Sequence, residues 1–217
     1  MSRIISYSTA DKADVLAFLG GTERLTVVQT RLLGLMREKA KESQEDLERQ
    51  GIDLGLTVPD ALEHLVAGRA DSTAEYAGSA YHRALQHIID HNASDPADFG
   101  VYSKPSTFFG LLDEELRRAG VSAELLLHDH LFSGPPPEIP FSVPYAVDGP
   151  DIGMFPLAKA QPAADAYRAV LDRVDADFRY DLQEIAEKLE MEHREWEYAT
   201  KNIDWYTQDT IFFSITG

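Results

Sequence analysis

"DTIFFSITG", residues 209–217, decides the fold. Its apolar core of Ile211, Phe212, Phe213 and Ile215 is β-branched or aromatic, which favours a strand. A lone strand cannot satisfy its own backbone, so this one needs a partner. The best candidate lies at the other end of the chain, "RIISYS" at 3–8. The two ends therefore predict a small sheet. Between them the chain reads mainly as amphipathic helix. The expectation is an α+β fold, predominantly helical, with several amphipathic helices packed around a small sheet that includes the N- and C-terminal strands. One domain over 1–217 is the default at this length.

Working inward from the N-terminal strand, "STADKADVLAFLGG" places an N-cap at Ser8 or Thr9 and a Gly-Gly stop. A second helix is predicted from Thr22 to Gln50. Leu25, Val28, Leu32, Leu35 and Met36 form its inward stripe, and its half after Met36 is solvated. "TVPDALEHLVAGR", from Thr57, has a cap, an early Pro59 and a Gly68 terminator and predicts a short helix. Another over 74–92 turns Ala77, Tyr81, Ala84, Leu85 and Ile88 to one side. "FGVYS" at 99–103 reads as a strand. A helix within 104–120 follows, with Phe108, Leu111, Leu112 and Leu116 inward, and "SAELLLHDHL" as a further short helix.

Residues 133–151, dense in Pro and Gly, form the longest predicted loop, with an extended "PFSVPY" inside it. The C-terminal third carries Tyr167, Leu171, Val174, Phe178, Leu182, Ile185, Leu189 and Trp196 at steps near three and four. It predicts either one long helix or two bent near Phe178 to Tyr180.

Composition removes several function classes. With no cysteine, disulfides, thiolate zinc sites, iron–sulfur clusters and cysteine nucleophiles drop out. A formal net charge of −17, without a basic patch, argues against nucleic acid and leaves a basic protein partner as the complementary class. No apolar run reaches a bilayer span, so no membrane association is expected. The start lacks the pattern of a signal peptide, so the expected compartment is the cytoplasm.

Catalytic frames are missing too. "AGSAY" at 77–81 lacks the G-x-S-x-G frame, and neither a G-x-G-x-x-G nor a Walker loop occurs. No catalytic residue and no cofactor is assigned. The histidines are the candidates for ligand binding. His87 and His91, at i and i+4, share one helical face, but the Glu of a metalloprotease helix is replaced by Ile88. His128 and His130 lie two apart, which on a helix splays the imidazoles. Both pairs are read as helix-edge or helix-end residues, and no metal is expected. His193, between Leu189 and Trp196, is read as a partly buried histidine of the apolar stripe.

Three stretches carry a family resemblance. "MSRIISYSTADKADVLAFL" at 1–19 has a strand ending in Tyr7 and then a polar turn into a helix. "ALEHLVAG" at 61–68 is similar to an A-L-H-x-L-L-T-G-type segment with the histidine displaced by one. "VYSKPSTFFGLLDEELRRAG" at 101–120 sets a tyrosine and a small polar turn before a helix. Together they resemble the YfbM-like family of uncharacterised bacterial proteins, although that family's tryptophan-containing entry to the second segment is absent. The Ala-, Asp- and Arg-rich style points to an actinobacterial group of unknown function. The resemblance implies helices around a small sheet and supplies no activity.

Two functions are carried forward. The first is an acidic protein-interaction or regulatory protein, of immunity type among other forms. Its contact surface would be the helix in "DLQEIAEKLEMEHREWE", 181–197, with Glu187, Glu190, Glu192 and Glu195 meeting a basic partner. The alternative is a small enzyme or small-molecule binder using the histidines of 82–91 and 128–130.

Overall fold

The computed structural model describes residues 2–21, 25–147 and 150–217. β1 (Ser2–Ala10) and β4 (Thr210–Thr216) pair antiparallel, from Ile4 opposite Thr216 to Ala10 opposite Thr210. The terminal strands thus form one sheet, as their composition predicts. β4 is not an edge, however. β3 (Asp151–Pro156) pairs along its other side and β2 (Ala97–Ser103) pairs with β1, giving the antiparallel order β2-β1-β4-β3.

Strand periodicity explains why helices cover both faces. Ile5, Tyr7, Ile211, Phe213 and Ile215 point into one apolar cluster, while Ala10 and Phe212 belong to the other. The second face is covered by α1 (Lys12–Ala17), α2 (Val27–Arg49), α3 (Val58–Val66) and α4 (Ala77–Asp90). The first face is covered by α5 (Pro105–Arg118), α6 (His128–Leu131), α7 (Ala160–Arg168) and α8 (Ala176–Asn202). Among the described residues the first four α-helices lie on one side of the sheet and the last four on the other.

Several sequence expectations need correction. Ser8 and Thr9 are strand residues opposite Phe212 and Ile211, and Asp11 caps α1 by accepting from Ala13 N–H at 2.8 Å. α2 starts after a capping box of Thr26 and Gln29, and residues 22–24 of the expected helix lie outside the described residues. Its inward stripe is displaced to Leu33, Met36, Ala40 and Leu47, leaving Val28 and Leu35 exposed and burying two positions in the half expected to be solvated. In α5 Leu112 and Leu116 are buried as expected and Phe108 packs partly buried against the core, but Phe109 is buried too and Leu111 is 49% exposed.

The segment 122–131 is a 3₁₀ turn, Ala123–Leu125, followed by the separate single turn α6, so the histidines open a helix of their own instead of ending one. No strand forms in "PFSVPY". The predicted loop ends in β3, which pattern reading missed because Gly153 and Pro156 interrupt its alternation. Gly153 has a steric cause: a side chain there would collide with the carbonyl oxygens of His130 and Leu131, where α6 abuts the strand. The C-terminal third is two helices, as one alternative holds, but the break falls at 169–175. There Asp175 caps α8 by accepting from Asp177 N–H at 3.0 Å, ahead of Phe178. Among the described residues no helix is long and apolar enough to cross a membrane.

Candidate functional site

The buried stripe of α8 runs through Leu182, Ile185, Ala186 and Leu189. The next steps of three and four on that line are Glu192 and Trp196, with His193 half-buried beside them and edge-on to Trp196 at 5.2 Å. Where the stripe turns from leucine to glutamate the core ends. A cleft of about 820 Å3 opens there between α8, β1 and the segments before β2 and β4. That volume lies within the range of small-ligand and anchor pockets.

Each wall has a local reason. Tyr7 reaches the cleft from β1, stacked edge-on to Phe99 at 5.9 Å, and its hydroxyl donates to Glu192 Oε1 at 2.8 Å. Gln208 ties the opposite rim: its Oε1 accepts from Thr9 Oγ1 at 2.7 Å and from Tyr206 Oη at 3.0 Å, and its carbonyl accepts from Trp196 Nε1 at 2.9 Å. Tyr198, largely exposed, completes an aromatic lining with Trp196 and Tyr206. Asp95 and Glu195 add carboxylates, and Arg194 is the cation at the rim.

The electrostatics share one direction. Burial raises the carboxyl of Glu192 above its ordinary value, Glu195 pushes the same way, and the Tyr7 hydrogen bond opposes. Burial and then Glu192 drive the Tyr7 phenol upward, and Tyr206 rises for the same reasons with Glu195 added. Among the described residues no lysine or arginine forms an ion pair with Glu192 or Glu195. The cleft holds negative charge that its own walls do not compensate, beside aromatic faces that attract cations.

Residues 1–214 match the family described as Domain of unknown function (DUF7691). The chain belongs to that family. No curated protein and no solved structure matches it.

In this DUF7691 chain the four glutamates expected at a partner surface divide. Glu192 and Glu195 line the cleft, Glu190 pairs with Arg168 at 2.6 Å, and Glu187 accepts from Gln183 Nε2 at 2.9 Å on the exposed face. Glu192 continues the inward stripe, and the three-residue step from Leu189 is the sequence signal for it.

The candidate histidines do not meet. His91 donates from Nδ1 to the His87 carbonyl at 2.8 Å, closing α4. His87 is held neutral, pushed down to about 4 chiefly by burial and then by His91, and it lines a separate hollow with Arg3 and Gln86. His130 donates from Nδ1 to the Met154 carbonyl at 2.9 Å and lies edge-on to Phe155 at 4.7 Å. His128 contacts Ser106 Oγ at 3.3 Å, and its backbone N–H is held by the buried Asp113. α4 and α6 pack into different cores, and among the described residues no three His, Asp or Glu side chains are grouped to hold a metal.

Proposed function

We propose that the protein is an interaction protein that captures a basic partner by taking a lysine or arginine side chain of that partner into the α8 cleft. The regulatory and immunity-type roles are the functional classes that this chemistry serves. The observation that carries the reading is Glu192, a carboxylate in the line of an apolar stripe, hydrogen-bonded among the described residues by Tyr7 and flanked by Trp196 and Tyr206. A cation entering there gains the Coulomb attraction of Glu192 and Glu195 together with the aromatic faces. It also offsets the burial, and then the repulsion from Glu195, that raise Glu192. The exposed Tyr198 and Trp205 beside the C-terminal turns of α8 supply the residue types that dominate interface energetics.

The test is a titration with tetra-arginine, tetra-lysine and tetra-glutamate peptides, followed by Trp196 fluorescence in a Trp205→Phe background. Saturable binding of the cationic peptides, weakened at least tenfold by Glu192→Gln with Glu195→Gln, is expected. Equal binding by that double variant would sink the reading, as would preference for tetra-glutamate.

A further inference from the structure

The polar groups of the α8 cleft are spent largely on one another. The Tyr7 hydroxyl donates to Glu192 Oε1 at 2.8 Å, those of Thr9 and Tyr206 donate to Gln208 Oε1 at 2.7 and 3.0 Å, and the Trp196 N–H donates to the Gln208 carbonyl at 2.9 Å. The Thr9 N–H donates to Ser94 Oγ at 3.0 Å. Among the described residues this leaves Oε2 of the half-buried Glu192 without a donor, while Glu195 and Asp95 stand exposed at the rim. A lysine ammonium brings three N–H donors and an arginine guanidinium five. Inside the cleft most of them would lose water with no acceptor to replace it, which costs free energy.

The aromatic side chains are an independent observation. Tyr7, Trp196, Tyr198 and Tyr206 come from β1, α8 and the segment before β4, and all four line the one cleft. Their ring contacts lie elsewhere: Tyr7 packs on Phe99 and Phe213, and Trp196 on His193. Among the described residues no two of the four pack on each other, so the space between them is left to a guest. Aromatic faces attract a cation through the ring quadrupole, and that attraction uses no N–H donor. A cation with methyl groups in place of N–H groups meets both conditions. It keeps the charge that Glu192 and Glu195 attract, is less strongly hydrated than a bare ammonium, and sets its methyl groups against the rings.

We propose that the cleft selects an N-methylated lysine of the partner over the unmodified side chain and over arginine. The methylated ammonium sits beside Glu192 with its methyl groups against the rings of Trp196, Tyr198 and Tyr206. This rests on the reading that the cleft takes a cationic side chain of a basic partner, and adds that the modification state of that side chain governs capture.

The experiment is calorimetry on the full chain with four peptides: tetra-lysine, the same peptide with one lysine trimethylated, the same with the uncharged tert-butyl isostere at that position, and tetra-arginine. Choline serves as the free small molecule of the same chemistry. The trimethylated peptide should bind roughly tenfold more tightly than the other three and than choline, the factor that cation–π gains in a desolvated site give. Tyr198→Ala, at a side chain that is 67% exposed, should remove most of that preference without loss of thermal stability. Tyr206→Phe, which keeps the ring and drops the bond to Gln208, should preserve it. If tetra-lysine or tetra-arginine binds as tightly as the trimethylated peptide, the selectivity falls while capture of a cationic side chain stands. If none of the cationic peptides binds at millimolar concentration, both fall. An isostere that matches trimethyl-lysine makes the preference merely apolar and overturns the proposal, as does a preference indifferent to Tyr198→Ala. Choline binding as tightly as the trimethylated peptide overturns it too, because the guest is then a free small molecule.

Discussion

Glu192 and His87 show at single residues how local environment sets pH dependence, with opposite signs. Glu192 is an acid whose folded value is raised, chiefly by burial, so as pH climbs the unfolded chain releases this proton first. The ionised folded state is therefore penalised above the ordinary glutamate range, and stability declines through that window. Glu192→Gln keeps an acceptor for Tyr7 and removes the charge. It should stabilise the protein at pH 7 by about 0.5–1 kcal/mol, the low end for single stabilising changes because the cleft is open to solvent. It should also weaken cationic peptides, a gain in stability against a loss of binding, as urea melts and titrations would show. An unchanged or lowered midpoint would mean that the charge is compensated in the fold. His87 is a base whose folded value is lowered to about 4, again first by burial. As pH falls below 6.5 the unfolded chain takes up the proton and the folded chain does not, so stability present at pH 7 is lost toward pH 4. The loss is at most roughly 3 kcal/mol. His87→Gln should flatten the stability profile between those pH values, and identical slopes would remove His87 from the acid transition.

At the scale of elements the decisive strand is β4. It bonds β1 on one side and β3 on the other, while its alternate side chains Phe213 and Phe212 enter opposite cores. Deleting residues 210–217 would leave both neighbours with open edges and remove anchors from both clusters at once. Loss of the cooperative unfolding transition is therefore expected, not a shift of a few degrees. A truncated chain that still melts cooperatively would show that β1 and β3 can close the sheet without it. The pairing of the ends was legible because apolar alternation is a local signal. β3 was not, because Gly153 is there to admit the α6 carbonyls, a tertiary requirement that weakens the local pattern. The phase of α2 was misread for a related reason: Val28 and Leu35 are apolar yet exposed, and only the packing of α3 and α4 shows which stripe faces inward. Of the cleft, Glu195 and the aromatic residues stood in plain view, but the partnership of Tyr7 with Glu192 spans 185 positions and no periodicity carries it.

For the whole molecule, charge and cleft act at different distances. α8 carries eight carboxylates against four lysines and arginines, so its field extends beyond the two glutamates of the cleft and, under the proposed function, would draw a basic partner before contact. Such a field fades as the Debye length shortens, from about 10 Å at 0.1 M salt to about 3 Å at 1 M. The hold proposed inside the cleft would be screened less at Glu192, which is half-buried, than at the exposed Glu195. The two contributions should therefore separate kinetically. Raising salt from 0.05 to 0.5 M should slow association of an octa-arginine peptide roughly tenfold or more while changing dissociation little. Reversing Glu187 and Glu190 to Lys should reproduce that slowing at low salt. The ion pair to Arg168 that this breaks is solvent-screened at the surface, so the fold should persist. Glu192→Gln should instead speed dissociation and leave association nearly unchanged. Stopped-flow rates for the two variants decide the matter. If reversal of Glu187 and Glu190 acts on dissociation, or Glu192→Gln acts on association, steering and holding are not divided between surface and cleft; if neither variant changes either rate, α8 is acidic for solubility alone.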